Sequence, residues 1–127
     1  MPVQLSAKQL SEIAGRFGTP VYVYHAEKIA EQYHRLTDAF SSFDSRIFYA
    51  CKALSNINIL KYICSLGASL DCVSINEVKL GLMAGFSNRN ILFTPNCVDF
   101  NEILEAKELG VHINIDNIST LEQFGNR

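Results

Sequence analysis

From Arg46 onward the chain repeats one unit: a short apolar run, a turn, then a helical stripe opened by a capping residue and closed by glycine. The runs begin near Ile47, Leu70, Ile91 and Val111. A beat of roughly twenty residues is what a strand, a crossover helix and two short connections occupy, so it specifies an α/β fold with a parallel sheet. Each helical stripe carries its punctuation. Ser55 precedes Ile57, Leu60 and Ile63, with Gly67 as the stop, and Ser74 precedes Val78 and Leu82, with Gly85 as the stop. Asp99 with Glu102 reads as a capping box for a third helix ending at Gly110, and Ser119 with Glu122 as the start of a fourth.

Right-handed βα units build either an open doubly wound sheet or a closed (β/α)8 barrel. No G-x-G-x-x-G follows the first run, which argues against a dinucleotide-binding sheet. Four strands are too few to close a barrel, so residues 46–127 are expected to form about four βα units of a partial TIM barrel. Residues 111–116 alternate strictly between Val111, Ile113, Ile115 and His112, Asn114, Asp116. One face of that strand is polar, fitting either a solvated barrel mouth or an edge strand with one wet face. Residues 1–45 read as a lead-in. Ser6 caps a helix striped by Leu10, Ile13, Ala14 and Phe17 and broken at Thr19-Pro20; a short strand-type run follows at 21–24. A second helix runs from Ala26 to Phe40 through Ile29, Tyr33 and Leu36, and 41–45 is a linker.

Acids and bases are interspersed at a net charge of −2, with no basic stripe for nucleic acid and no polybasic segment for a membrane surface. With 48% hydrophobic residues the chain suits an ordinary soluble domain working on small molecules. The four cysteines, Cys51, Cys64, Cys72 and Cys97, form no C-x-x-C pair. Neither a metal site nor a redox dithiol is expected, and they read as buried thiols of a reducing compartment. The first residues lack a basic region followed by a long apolar segment, and no later run approaches a membrane span, so the cytoplasm is the expected location.

Lys52 closes the first apolar run. Read with period 2, Phe48, Ala50 and Lys52 share one face and Ile47, Tyr49 and Cys51 the other. An ammonium at a buried strand end loses hydration, which disfavours its charged form and makes it an amine nucleophile able to condense with an aldehyde. A strand-terminal lysine that simply points to solvent is the other reading.

The segments Phe48-Tyr49-Ala50-Cys51-Lys52-Ala53-Leu54-Ser55-Asn56 and Gly67-Ala68-Ser69-Leu70-Asp71-Cys72-Val73-Ser74-Ile75-Asn76-Glu77-Val78 resemble the N-terminal part of the alanine-racemase-like, fold-type III decarboxylases that use pyridoxal phosphate. Phe17-Gly18-Thr19-Pro20-Val21-Tyr22-Val23-Tyr24, and the stretch from Phe93-Thr94-Pro95-Asn96 to Ser119, are similar too. The resemblance covers nearly all of the chain and only the first part of such an enzyme. It implies a pyridoxal 5'-phosphate enzyme in which Lys52 is the catalytic lysine that holds the cofactor. Ala50 then leaves room beside the ring, Asp71 lies next to the lysine and Glu77 lines the same mouth. At residue level, Asp71 also suits a helix-cap carboxylate and Glu77 a first-turn acid favoured by the helix dipole.

The implied substrate is a small amino acid, and the branch that converts meso-diaminopimelate to lysine is the most similar. Branches acting on ornithine, arginine or carboxynorspermidine stay open, as do a single-domain cofactor carrier without turnover and a non-catalytic interaction piece. The 19–24 segment favours the two-domain enzymes over the carrier. The resemblance further implies that the ring-nitrogen partner, a stacking histidine, the phosphate-cradling glycines and the substrate clasp come from segments absent from this sequence. The chain alone is therefore expected to be inactive, and the whole enzyme to be a homodimer. Unpaired strand edges are expected to make the isolated chain associate or swap elements, and the 21–24 run to be irregular or paired with another copy.

Overall fold

In the computed structural model, which describes residues 4–126, Ser6 and Gln9 open the first helix by satisfying each other's backbone. The Gln9 N–H donates to Ser6 Oγ at 3.3 Å, and the Ser6 N–H donates to Gln9 Oε1 at 2.9 Å. Helix α1 (Ala7–Phe17) ends where Gly18 takes φ 79° and returns its N–H to the Ala14 carbonyl. His25 caps helix α2 (Ala26–Ala39), its Nδ1 accepting the Lys28 N–H at 3.2 Å. Between them the strand-type run at 21–24 is irregular, one of the two outcomes expected for a run without its sheet. Val21, Tyr22, Val23 and Tyr24 are exposed and irregular, because β-type residues make a strand only where another strand completes their hydrogen bonds. This first compact unit ends at Asp44, and the second begins at Ser45.

The second unit carries the strand–helix beat. Strands β1 (Phe48–Ala50), β2 (Ser69–Cys72), β3 (Ile91–Phe93) and β4 (His112–Ile113) form one sheet in the order β1-β2-β3-β4, every pair parallel. A sequential order without reversal has no switch point of the doubly wound kind; it is an arc of a (β/α)8 barrel. The connections are helices α3 (Ile57–Ser65), α4 (Ile75–Ala84) and α5 (Phe100–Glu108), with α6 (Ile118–Gly125) following β4. Among the described residues no helix is long and apolar enough to cross a membrane.

The caps show where side-chain chemistry competes. Ser74 opens α4 as expected, and Gly85, at φ 104°, closes it. Asn56, not Ser55, caps α3, its Oδ1 taking the Asn58 N–H at 3.0 Å. Asn117, not Ser119, caps α6, its side chain taking the Thr120 N–H at 2.8 Å. Asp99 caps α5, but Glu102 does not complete a box with it. Glu102 Oε2 instead accepts the N–H of Ile75 at 3.3 Å, so a side chain of α5 satisfies an unpaired donor at the start of α4.

The core lies between sheet and helices, where Leu60, Leu70, Val78, Ile91, Phe93 and Ala106 are fully buried. Gly81 sets how closely α4 approaches: a Cβ there would meet Leu70 Cδ2 at 2.5 Å and Ile91 Cδ1 at 3.2 Å. Replacing Gly81 by valine is therefore expected to cost roughly 2–3 kcal/mol by overpacking, outweighing the gain of about 1 kcal/mol from removing a helical glycine. A urea midpoint unchanged or raised in Gly81→Val would contradict this packing. Val111 is buried while His112, Asn114 and Asp116 are exposed, so the alternating stretch gives β4 one wet face at an edge of the sheet.

Candidate functional site

Register and alternation decide which side chains gather. Leu70 and Ile91 point at α4, so by alternation Cys72 and Phe93 share their face, while Ser69, Asp71 and Leu92 occupy the opposite one. Phe48 pairs with Ser69 and Ala50 with Asp71, which adds Phe48 and Ala50 to that opposite, barrel-inward face. At the C-terminal ends of the strands it carries a methyl group at Ala50 and a carboxylate at Asp71. The Thr94 hydroxyl, one residue past β3, donates to Asp71 Oδ1 at 2.7 Å. Thr94 was not among the expected site residues; its signal was a polar residue immediately after an apolar run, at the same strand end that bears Asp71.

Lys52 lies at the same end of the sheet, with two corrections to the expectation. β1 stops at Ala50, and Cys51–Ala53 is a turn of 3-10 helix, so strand alternation does not carry the Phe48–Ala50 face on to Lys52. Lys52 is also exposed, so its ammonium has not lost the hydration that burial would remove. What the fold does supply is a fixed base for the turn. The Leu54 N–H donates to the Cys51 carbonyl at 3.1 Å, and the Tyr49 hydroxyl donates to the Leu54 carbonyl at 3.3 Å. Among the described residues Lys52 makes no ion pair with Asp71, whose direct strand partner is Ala50.

Glu77 makes its hydrogen bonds apart from the Asp71–Thr94 pair. Its Oε2 accepts the Val73 N–H at 2.7 Å, its own N–H donates to Ser74 Oγ at 3.3 Å, and it serves as the first-turn acid of α4. Its carboxylate lies with the thiols of Cys51 and Cys72, the three donor atoms within 4.8 Å of one another. Both thiols are fully buried, whereas Cys64 is half-buried and Cys97 exposed, contrary to the expectation that all four are buried. Burial first, then the Glu77 carboxylate, pushes the Cys51 thiol from 9.0 up to about 11. Burial, then the negative charge of Cys51, Glu77 and Asp71, pushes Cys72 higher still.

A raised thiol pKa makes folding compete with ionisation. Below 9.0 both thiols stay protonated in either state and stability does not depend on them. Above it the unfolded chain releases these protons first, the folded state binds more, and stability falls progressively as pH rises toward about 11. Thermal melts in chelator-containing buffer are expected to show a larger alkaline loss for the native sequence than for Cys51→Ala. Equal losses would contradict the burial of that thiol.

The chain matches the family model described as pyridoxal-dependent decarboxylase, pyridoxal binding domain, over residues 26–126. It is 43% identical over 112 residues to the diaminopimelate decarboxylase of Methanothermobacter thermautotrophicus, covering 87% of this chain and 26% of that protein. Among solved structures, the diaminopimelate decarboxylase of Helicobacter pylori complexed with L-lysine superposes with a TM-score of 0.84 at 31% identity, covering 92% of this chain and 31% of that one. The lysine/ornithine decarboxylase of Vibrio vulnificus complexed with putrescine gives a TM-score of 0.83 at 25% identity, covering 97% and 34%. The chain thus spans between a quarter and about a third of the length of these relatives.

Proposed function

The chain belongs to the pyridoxal-dependent decarboxylases, through their pyridoxal-binding domain, and we propose that it is the N-terminal part of a diaminopimelate decarboxylase, which removes carbon dioxide from meso-diaminopimelate to leave lysine. The observation that carries the reading is a lysine on an anchored turn at the C-terminal rim of a parallel barrel arc, the end where such folds place their chemistry. The residues around it suit pyridoxal phosphate. Lys52 offers an accessible amine, Ala50 presents only a methyl group toward the barrel interior, and Asp71 is oriented by Thr94.

Bound there, pyridoxal phosphate supplies the electron sink that a departing carboxylate needs. The chain's own part is to hold and orient. The Lys52 amine would hold the cofactor at its aldehyde carbon, and the Tyr49 hydroxyl, bonded to the Leu54 carbonyl, fixes the turn on which that amine stands. The pair Asp71–Thr94 keeps a carboxylate at a set height on the inward face, where it attracts cationic amines of the substrate. Lys52 Nζ, when not holding the cofactor, would be the group that hands a proton to the substrate's Cα. The four free cysteines are consistent with a cytoplasmic, reducing setting, and a homodimer belongs to the same reading for the complete enzyme.

The likeness to the Vibrio lysine/ornithine enzyme favours one second reading, a decarboxylase of ornithine or a related diamino acid. The complete protein, loaded with pyridoxal phosphate and assayed with meso-diaminopimelate, ornithine and arginine, separates the two. Lysine release with kcat/KM at least about tenfold above the alternatives is expected. A preference for ornithine would transfer the substrate assignment to the second reading, and turnover of none of them would point to a cofactor carrier. The 127-residue chain alone is expected to release no lysine.

A further inference from the structure

We propose that Cys51, Cys72 and Glu77 form a binding site for one thiophilic divalent cation of the zinc or cadmium class, on the helix-facing side of the strand ends. The site is independent of the decarboxylase assignment and rests on geometry alone. Because Ala50 pairs with Asp71, the next residues along the two parallel chains, Cys51 and Cys72, stand opposite each other, and neither is exposed to solvent. The Ser74 cap then starts α4 so that Glu77, in its first turn, turns its carboxylate onto the same point.

The three donor atoms already lie within 4.8 Å of one another. Ligands of a tetrahedral zinc ion, at about 2.3 Å for sulfur and 2.0–2.2 Å for oxygen, stand roughly 3.5–4 Å apart, so closure needs only small side-chain rotations. Glu77 spends Oε2 on the Val73 N–H, and a carboxylate has a second oxygen to give. Glu77 is only half-buried, which leaves its side of the cluster as the entry path and the place for a water as fourth ligand. Two sulfurs and one carboxylate select a soft or borderline cation over magnesium or calcium.

On binding, each thiol passes its proton to solvent as its sulfur bonds the cation, and the carboxylate binds as it stands; no electrons are transferred. The residues flanking this site are Lys52 and Asp71, so a bound cation would pin the two strand ends that bear them.

The test uses the chain carrying Cys64→Ser and Cys97→Ser, which leaves Cys51 and Cys72 as its only thiols. Titration with cadmium chloride, under a non-thiol reductant, is expected to raise a saturable sulfur-to-cadmium ultraviolet band at one ion per chain. Adding Cys51→Ser or Cys72→Ser should roughly halve or abolish that band, and Glu77→Gln should weaken the affinity by about tenfold or more. The absence of any saturable band, or an equal band with both remaining cysteines replaced, would overturn the proposal. Should a serine variant lose its far-ultraviolet helix signal, zinc-edge X-ray absorption on the native-sequence chain decides. A shell with two sulfurs at about 2.3 Å supports the site, and a shell without sulfur refutes it.

Discussion

Replacing Lys52 by alanine in the complete protein is expected to lower decarboxylase turnover by at least ~10³-fold, because the substitution removes the amine proposed above to hold the cofactor and to supply the Cα proton. Stability should change by less than about 0.5 kcal/mol, since Lys52 is exposed and makes no ion pair among the described residues. The turn beneath it is held by backbone and by Tyr49, not by the lysine. Measuring kcat beside the urea midpoint separates the two effects. A variant that unfolds early would mean that Lys52 is structural, and one that keeps its turnover would remove it from the chemistry.

Replacing Phe93 by alanine should do the reverse. Phe93 is fully buried at the end of β3, paired with Cys72 on one side and Ile113 on the other. Truncating a ring in such a place removes its transfer free energy and leaves a cavity, a cost of about 3–5 kcal/mol. Domains of this kind are stable by only about 5–15 kcal/mol, so much of the folded state's margin would disappear. The same change frees the strand from which Thr94 reaches Asp71, so the site should loosen with the fold. A urea midpoint shifted by the equivalent of less than about 1 kcal/mol would show that the helix-facing layer is not closely packed at Phe93.

Much of the second unit was legible in the sequence because its signals are local. Ser74 and Gly85 each announce one end of α4 with a residue whose backbone or hydroxyl chemistry fits nowhere better. The errors arose where two residues can do the same job. Ser55 and Asn56 are both good caps, as are Ser119 and Asn117, and asparagine takes the first-turn N–H each time. Glu102 was expected to serve its own helix but serves α4, a use that only the packing of two helices reveals.

The site was legible in part for a similar reason. Ala50 and Asp71 stand at the C-terminal ends of their strands and Lys52 in the turn just past the first, places that the beat of the sequence marks. The turn at Cys51–Ala53 and the exposure of Lys52 were not readable, since an apolar run does not state where its last strand residue falls. Register was the larger gap. Cys51 and Cys72 look unrelated along the chain, and only the pairing of Ala50 with Asp71 brings them together. Thr94 meets Asp71 for the same reason, through the register of β2 with β3.

Borohydride reduction of the complete protein loaded with pyridoxal phosphate, followed by peptide mass spectrometry, addresses the role of Lys52 without relying on turnover. A single pyridoxyl adduct on the peptide containing Lys52 is the predicted result. An adduct on any other lysine, with Lys52 unmodified, would contradict it.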